Sequence, residues 1–372
     1  MTAAQRVERE GFMIGGIPPL PNVSSAAWKE ITDAADANNE PGEFTALIGW
    51  EWSSIPGGAN LHRIVITDSG AGEAQQYLPF SFLDSSFPED LWRWLDQTSE
   101  FTGADFISIP HNSNISKGYM FDTETLRGQP LSAKYIASRM KWEKVVEITQ
   151  IKGDSETHPE LSPDDEFADF EPFPFYLQRE PSPYVASRSD YVRSALRLGL
   201  RLEREHGQNP YQFGLIGSTD AHTGMASAEE DNFHGKLAID SIPENKRGMF
   251  ELEDVDGPFG WDMSASGLAA VWAQDNTRES ILAAMKRREV YATTGPRIGV
   301  RFFAGFGYGD GILQSADLYA DAVAGGVPMG GRLSGPRESS PEFIVLADRD
   351  VRGANLDRIQ VVKGWLDAEG RT

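Results

Sequence analysis

The chain has 372 residues, 40% hydrophobic and 24% charged, with a formal net charge of −22 and a sequence pI near 4.7. That length accommodates one large enzyme domain plus a smaller one, and the acidic surface it implies repels nucleic acid and anionic membranes. There is no cysteine, which excludes disulfides, thiolate ligands and cysteine nucleophiles and limits any metal site to His, Asp and Glu.

The N-terminal "MTAAQRVEREGFMIGG" has no apolar core, so it does not read as a signal peptide. Residues 24–39 offer a serine cap and helix formers, and "EPGEF" then breaks the pattern. Residues 44–52 and 61–67 read as strands separated by the "SSIPGGAN" turn. A helix follows at 87–100 with Pro88 in its first turn, then a strand at 104–112 that ends in a Pro-His corner, and another at 144–151. Residues 152–183 form a long acidic, proline-marked loop, the kind that is functional or disordered when found in a compact domain. A long helix is expected over 184–207, strands at 211–216 and 269–273, and a helix capped by Asn276 over 276–289. The alternation predicts an α/β domain with largely parallel strands. From residue 299 the pattern becomes short β segments with Gly/Pro turns, "LDRIQVVKGWLD" (356–367) among them, and little helix signal. The division is therefore 1–298 and a small β-rich unit at 299–372. No 18-residue apolar run is present, so no membrane span is expected and the chain reads as soluble.

Six histidines can be weighed singly. His206 ends a helix, where an imidazole faces solvent and favours the dipole, and His234 sits in a loop where exposure is the simpler reading. His62, His111 and His222 each stand at a strand end, joined by Glu51 and Asp220. For any one of them a satisfied structural histidine is the simpler explanation. Together they suggest ligands converging at one face of a barrel, because catalytic residues there come from several strand ends. On an extended segment Asp220 and His222, two apart, would face one cavity. Glu51 could bridge two cations, with neutral His62 and His111 completing one site. Two such ions would clamp a phosphoester and activate water. Spacing alone leaves the metal and turn readings both open.

The order Gly49-x-Glu51, His62, "IPH" (109–111), "VEI" (146–148) and "GSTDAH" (217–222) resembles the polymerase-and-histidinol-phosphatase (PHP) superfamily of metal-dependent hydrolases. The closer resemblance is to a PHP-like bacterial family known only as a domain of unknown function. It rests on "NEPGEFTALIGWEWSS", "GANLHRIVI", "IPHNSNISKGYMF", "EITQIKGDSETHPELSPDDEFADFE" and "VYATTGPRI", and covers about residues 30–365. The resemblance implies a distorted (β/α)7 TIM-like barrel with one to three Mn, Zn or Fe ions at its C-terminal mouth. Glu51 would be the bridging carboxylate, His62 and His111 would complete the second metal, and Asp220 and His222 would ligate the first and third. Glu147 would support the ligands, or, equally, be a strand carboxylate paired with an arginine.

PHP proteins open with an H-x-H strand and a further Asp-His strand, and no histidine precedes Glu51 in this sequence. The expectation is therefore a barrel lacking its first strands. That means a fragment, a chain completed by an upstream segment or subunit, or a single-metal remnant, the fragment being favoured. In the acidic loop, Lys152 and His158 could contact a substrate anion, and His158 could shuttle a proton; a solvated lid without chemistry explains the loop as well. Asn112, Asn114 and Arg188 are further candidate substrate contacts. The leading functional expectation is a phosphoesterase in which metal-activated water attacks a small anionic ester, with Glu51, Asp220 and His158 as catalytic candidates. A non-catalytic anion- or glycan-binding module, or a hydrolase of another ester or amide, are the alternatives.

Overall fold

A computed structural model describes residues 23–177, 182–224, 229–247, 260–265, 267–335 and 340–372. The N-terminal stretch read as lacking a signal peptide lies outside them, as do four residues of the acidic loop (178–181).

Helix α1 (Ser25–Ala37) starts where Ser24 accepts a hydrogen bond from the Ala27 amide at 3.1 Å. Strands β1 (Ile48–Trp52), β2 (Arg63–Thr67) and β3 (Phe106–Pro110) form one sheet in the order β1-β2-β3. Both pairings are antiparallel, with Glu51 opposite Ile64 and Arg63 opposite Pro110. The prediction of largely parallel strands fails here: the short "SSIPGGAN" turn returns the chain beside β1, a connection that suits antiparallel pairing and is too short for the crossover that parallel pairing needs. A short helix α2 (Ala71–Ala74) and α3 (Pro88–Thr102) connect β2 to β3. Pro88 opens α3, where its missing N–H is not needed, and Gly103 closes it in a left-handed conformation (φ 85°).

Helix α4 (Ala133–Trp142) was not expected; Ser132 caps it through the Tyr135 amide. Strand β4 (Val145–Gln150) is buried along its whole length and carries the two-residue β5 (Gly153–Asp154) on one edge. On its other edge it pairs in parallel with β6 (Gly214–Gly217). Between them runs α5 (Val192–His206), shorter than the predicted helix because residues 184–187 are not helical and Arg188–Asp190 is a 3-10 turn. Strands β7 (Ala269–Val271) and β8 (Val290–Ala292) pair across α6 (Arg278–Arg287). Thr277 caps α6, not Asn276, whose side chain instead donates to the Glu43 carbonyl and accepts from Thr45.

β3 lies alongside β4, and β6 alongside β8. Ile107, Ile109, Val145, Ile216 and Val290 from these four strands share a core with Leu282 and Met285 of α6. Trp52, Trp92, Trp142 and Phe106 fill the space between the first sheet and α3 and α4. Each such buried side chain contributes roughly 1.5–3 kcal/mol. The result is a mixed α/β architecture of several small sheets, none closed into a barrel among the described residues.

After β8 a separate sheet of order β10-β9-β11 appears, from β9 (Gly299–Gly305), β10 (Gly326–Pro328) and β11 (Glu342–Asp348). This part was expected to hold little helix, but α7 (Leu318–Ala324) caps its small core of Phe303, Ala322 and Ile344. Residues 356–367, predicted as β, form no strand, and Ile359, Val361 and Val362 are exposed. Alternation fitted a strand, but no neighbouring edge takes up its backbone. Among the described residues no helix is long and apolar enough to cross a membrane.

Candidate metal centre

Glu51 is the penultimate residue of β1, His62 immediately precedes β2, and His111 immediately follows β3. The antiparallel sheet puts all three at one end. His62 and His111 face each other across the β2–β3 ladder, the His111 amide donating to the His62 carbonyl at 3.3 Å. Gly49, two residues back from Glu51, allows close approach of β2: a Cβ there would lie 2.6 Å from the Val65 carbonyl oxygen.

Glu51 Oε1 lies 2.6 Å from His62 Nδ1 and 3.2 Å from His111 Nε2. Among the described residues these three form the one group that could hold a metal ion, their ligand atoms all within 4.8 Å of one another. Burial raises the Glu51 carboxyl, but the hydrogen bonds from His111 and His62 outweigh it and hold the group far below the usual carboxylate range. Burial lowers the His62 imidazole, which keeps it neutral and able to ligate. His62 Nε2 and His111 Nδ1 are buried without a hydrogen-bond partner among the described residues. Two imidazole nitrogens and a carboxylate oxygen are a donor set that Zn, Mn and Fe accept, so the residues fit a divalent ion.

Glu147, buried on β4, braces this end of the molecule. It accepts from the Asn112 amide at 3.2 Å, from Gln150 Nε2 at 2.9 Å and from the Ser218 hydroxyl. It thereby ties the residue after His111 to the segment leading to Asp220. These partners are not arginines, so the alternative reading of Glu147 as an arginine's mate does not hold.

The "GSTDAH" stretch departs from the extended geometry assumed for it. Asp220 adopts a left-handed backbone (φ 53°), which Asp tolerates better than most residues. The chain therefore turns, and the His222 ring folds back so that Nδ1 lies 2.9 Å from the Asp220 carbonyl oxygen. The Asp220 carboxylate is buried, with Oδ2 in contact with Lys152 Nζ and 2.8 Å from Lys236 Nζ. His222 is 44% exposed in its side chain. Partial burial and the Lys236 ammonium push its imidazole down to about 4. Neither Asp220 nor His222 joins the close-set group of Glu51, His62 and His111, though Glu51 and His111 lie near enough to His222 to bias its charge. Lys236 had no signal in the sequence, being one lysine in an unpatterned loop.

The remaining candidates sort by burial. Asn112 (φ 55°) and Asn114 are completely enclosed. Asn112 Nδ2 donates to Asn114 Oδ1 at 2.8 Å, and Asn114 Nδ2 donates to the Lys152 carbonyl at 3.0 Å. Their side-chain amides tie together the segments after β3 and β4 that carry His111 and Lys152. His158 packs its ring against Tyr184 and Tyr191, and its Nδ1 accepts from the Glu160 amide at 3.3 Å. That seats it in the acidic loop, outside the ligand group. Arg188 is exposed in its 3-10 turn. His206 faces solvent at the end of α5 as expected, whereas His234 is half-buried rather than exposed.

Asp190 secures the segment beyond His111 from below, accepting from the Ser116 hydroxyl and the Gly118 amide, both at 2.6 Å. Burial pushes its carboxyl up to about 7, and that of Asp154 likewise to about 7. Both are raised carboxyls, so the native state holds more protons than the unfolded chain between about pH 4 and 7. Stability is therefore expected to fall as pH rises through that window and to level off above it. Asp190→Asn should flatten this slope in urea unfolding at pH 5 and 7.5; an unchanged slope would show that Asp190 does not contribute.

The family model described as "Protein of unknown function (DUF3604)" matches residues 2–372. No curated protein and no solved structure matches the chain.

Proposed function

We propose that this chain, which belongs to the DUF3604 family, is a metal-dependent hydrolase of small anionic esters, phosphoesters first among them. The observation that carries the reading is the convergence of His62 Nδ1 and His111 Nε2 on Glu51 Oε1 at the ends of three successive strands. The order of motifs that resembles the PHP superfamily supports it, and in this reading β1 to β8 are the wall of a distorted barrel of that kind.

A divalent Mn, Zn or Fe ion bound there supplies Lewis acidity and lowers the pKa of water at neutral pH. Glu51, His62 and His111 hold it, and Glu147 fixes the loop from which His111 projects. The second half of the site is cationic: two lysine amines stand on the single Asp220 carboxylate. Lys152 is buried, while Lys236, with 17% of its side chain exposed, is the one placed to meet the oxygens of an anionic substrate. His222, held neutral beside them, is able to take up or deliver a proton at Nε2.

The test is a panel of chromogenic phosphomonoesters, phosphodiesters, carboxylic esters and anilides, run on metal-free protein with and without Mn2+ or Zn2+. Metal-dependent turnover of phosphoesters is expected. Turnover confined to carboxylic esters or amides would move the substrate class, and no turnover with any metal would contradict the hydrolase reading.

A further inference from the structure

Asp220 is a buried carboxylate beside a cluster of metal-ligating groups, the position in which a second divalent ion would ordinarily be sought. Its surroundings are already cationic. Oδ2 is in contact with Lys152 Nζ and lies 2.8 Å from Lys236 Nζ, and Lys236 Nζ also donates to the Asp220 carbonyl at 3.3 Å. Lys152 is 3% exposed, and its backbone is fixed by Asn114, which donates to its carbonyl at 3.0 Å. The Lys236 carbonyl in turn accepts from the His222 amide at 2.6 Å. Both lysines are thus held side by side against the same carboxylate oxygen, and burial with the adjacent Lys236 holds the Lys152 amine well below its usual value. A buried carboxylate needs a positive partner, and the lysine pair builds one in.

We propose that the lysine pair Lys152 and Lys236 is the resident counter-charge of Asp220, so that the site takes one divalent ion, at Glu51, His62 and His111, and excludes a second. This rests on the metal-dependent reading above. Asp220 is then a counter-ion that positions the two amines and not a metal ligand. A divalent ion brought to Oδ2 would be repelled by the positive charge of the lysine pair and would have to displace both amines from that oxygen. It would also strand a buried lysine without its carboxylate.

The experiment counts ions. Full-length chain, stripped of metal, is dialysed against Mn2+ and, separately, Zn2+, and bound metal per chain is measured by mass spectrometry. The wild type is expected to hold about one ion. Asp220→Asn should also hold about one, with affinity within roughly threefold of wild type. Lys152→Met/Lys236→Met, which removes both amines and keeps the side chains long, should take up a second ion. Adding Asp220→Asn to it should return the count to one. Two ions on the wild type, loss of the ion in Asp220→Asn, or a single ion on the folded double variant each overturn the proposal and leave the metal-dependent reading standing. If the double variant does not fold, the wild-type and Asp220→Asn counts decide. A wild type that binds no ion sinks the metal-dependent reading and this inference with it.

Discussion

His111→Ala should weaken binding of Zn2+ or Mn2+ by more than about 100-fold, since changing even a residue that merely supports a ligand costs 10–100-fold. Hydrolysis should fall with it, on the order of 10³-fold or more at metal concentrations that saturate the wild type. His111 is 2% exposed and its Nε2 lies 3.2 Å from Glu51 Oε1, and among the described residues no fourth His, Asp or Glu joins the group. Glu51→Gln should behave alike, because an amide has no charge to offer a divalent ion. Glu147→Gln should give the milder effect, about 10–100-fold, since it disturbs the Asn112 amide and the Ser218 hydroxyl but no ligand directly. Titration calorimetry on metal-free protein reads all three, with circular dichroism confirming the fold. Equal losses for Glu147→Gln and His111→Ala would show that the ligand group is drawn wrongly.

Glu143→Ala should cost about 3–5 kcal/mol of stability, the price of leaving buried charges without their partner. Glu143 is fully enclosed and takes two guanidiniums: Arg63 Nε at 3.0 Å and Arg139 Nε at 2.9 Å. Trp92 Nε1 donates to the same Oε1 at 3.1 Å. Arg63 and Arg139 are 1% and 3% exposed in their side chains, so water cannot solvate the charge that either would be left with. The consequence reaches function, because Arg63 opens β2 directly after His62 and its Nη1 donates to the Leu61 carbonyl just before it, at 2.5 Å. This buried triad therefore clamps the backbone on both sides of His62. Urea unfolding should show the loss, and metal affinity should drop as well. A cost below about 1 kcal/mol would mean the triad behaves like an exposed pair.

How much of this was legible in the sequence depends on the range of the interaction. Glu51, His62 and His111 were found because each stands beside a Gly, Asn or Pro corner that ends an apolar run, which is a local signal. Pro88 and Ser24 were readable for the same reason, their roles being settled within one helical turn. Strand direction was not, since a strand's neighbour is chosen by the whole chain: β1 to β3 proved antiparallel and β4 with β6 parallel, on similar apolar patterns. The Asp220 turn was missed because alternation was assumed past the end of β6, where a left-handed residue breaks it. Lys236 and Glu143 carry no periodic or motif signal at all. Their partners lie 16 residues away for Lys236 and Asp220, and 80 for Glu143 and Arg63, so only the folded chain reveals them. The complete burial of Asn112 and Asn114 was likewise not legible, because polar residues beside a ligand carry no local sign of enclosure.

The central claim is that Glu51, His62 and His111 hold a divalent ion. Anomalous diffraction from crystals soaked in Zn2+ or Mn2+ tests it most directly. The account predicts one strong peak among the three side chains, about 2.0–2.2 Å from His62 Nδ1, His111 Nε2 and a Glu51 oxygen. A peak centred on Asp220 and His222 instead, or no peak with the three side chains well ordered, would contradict it.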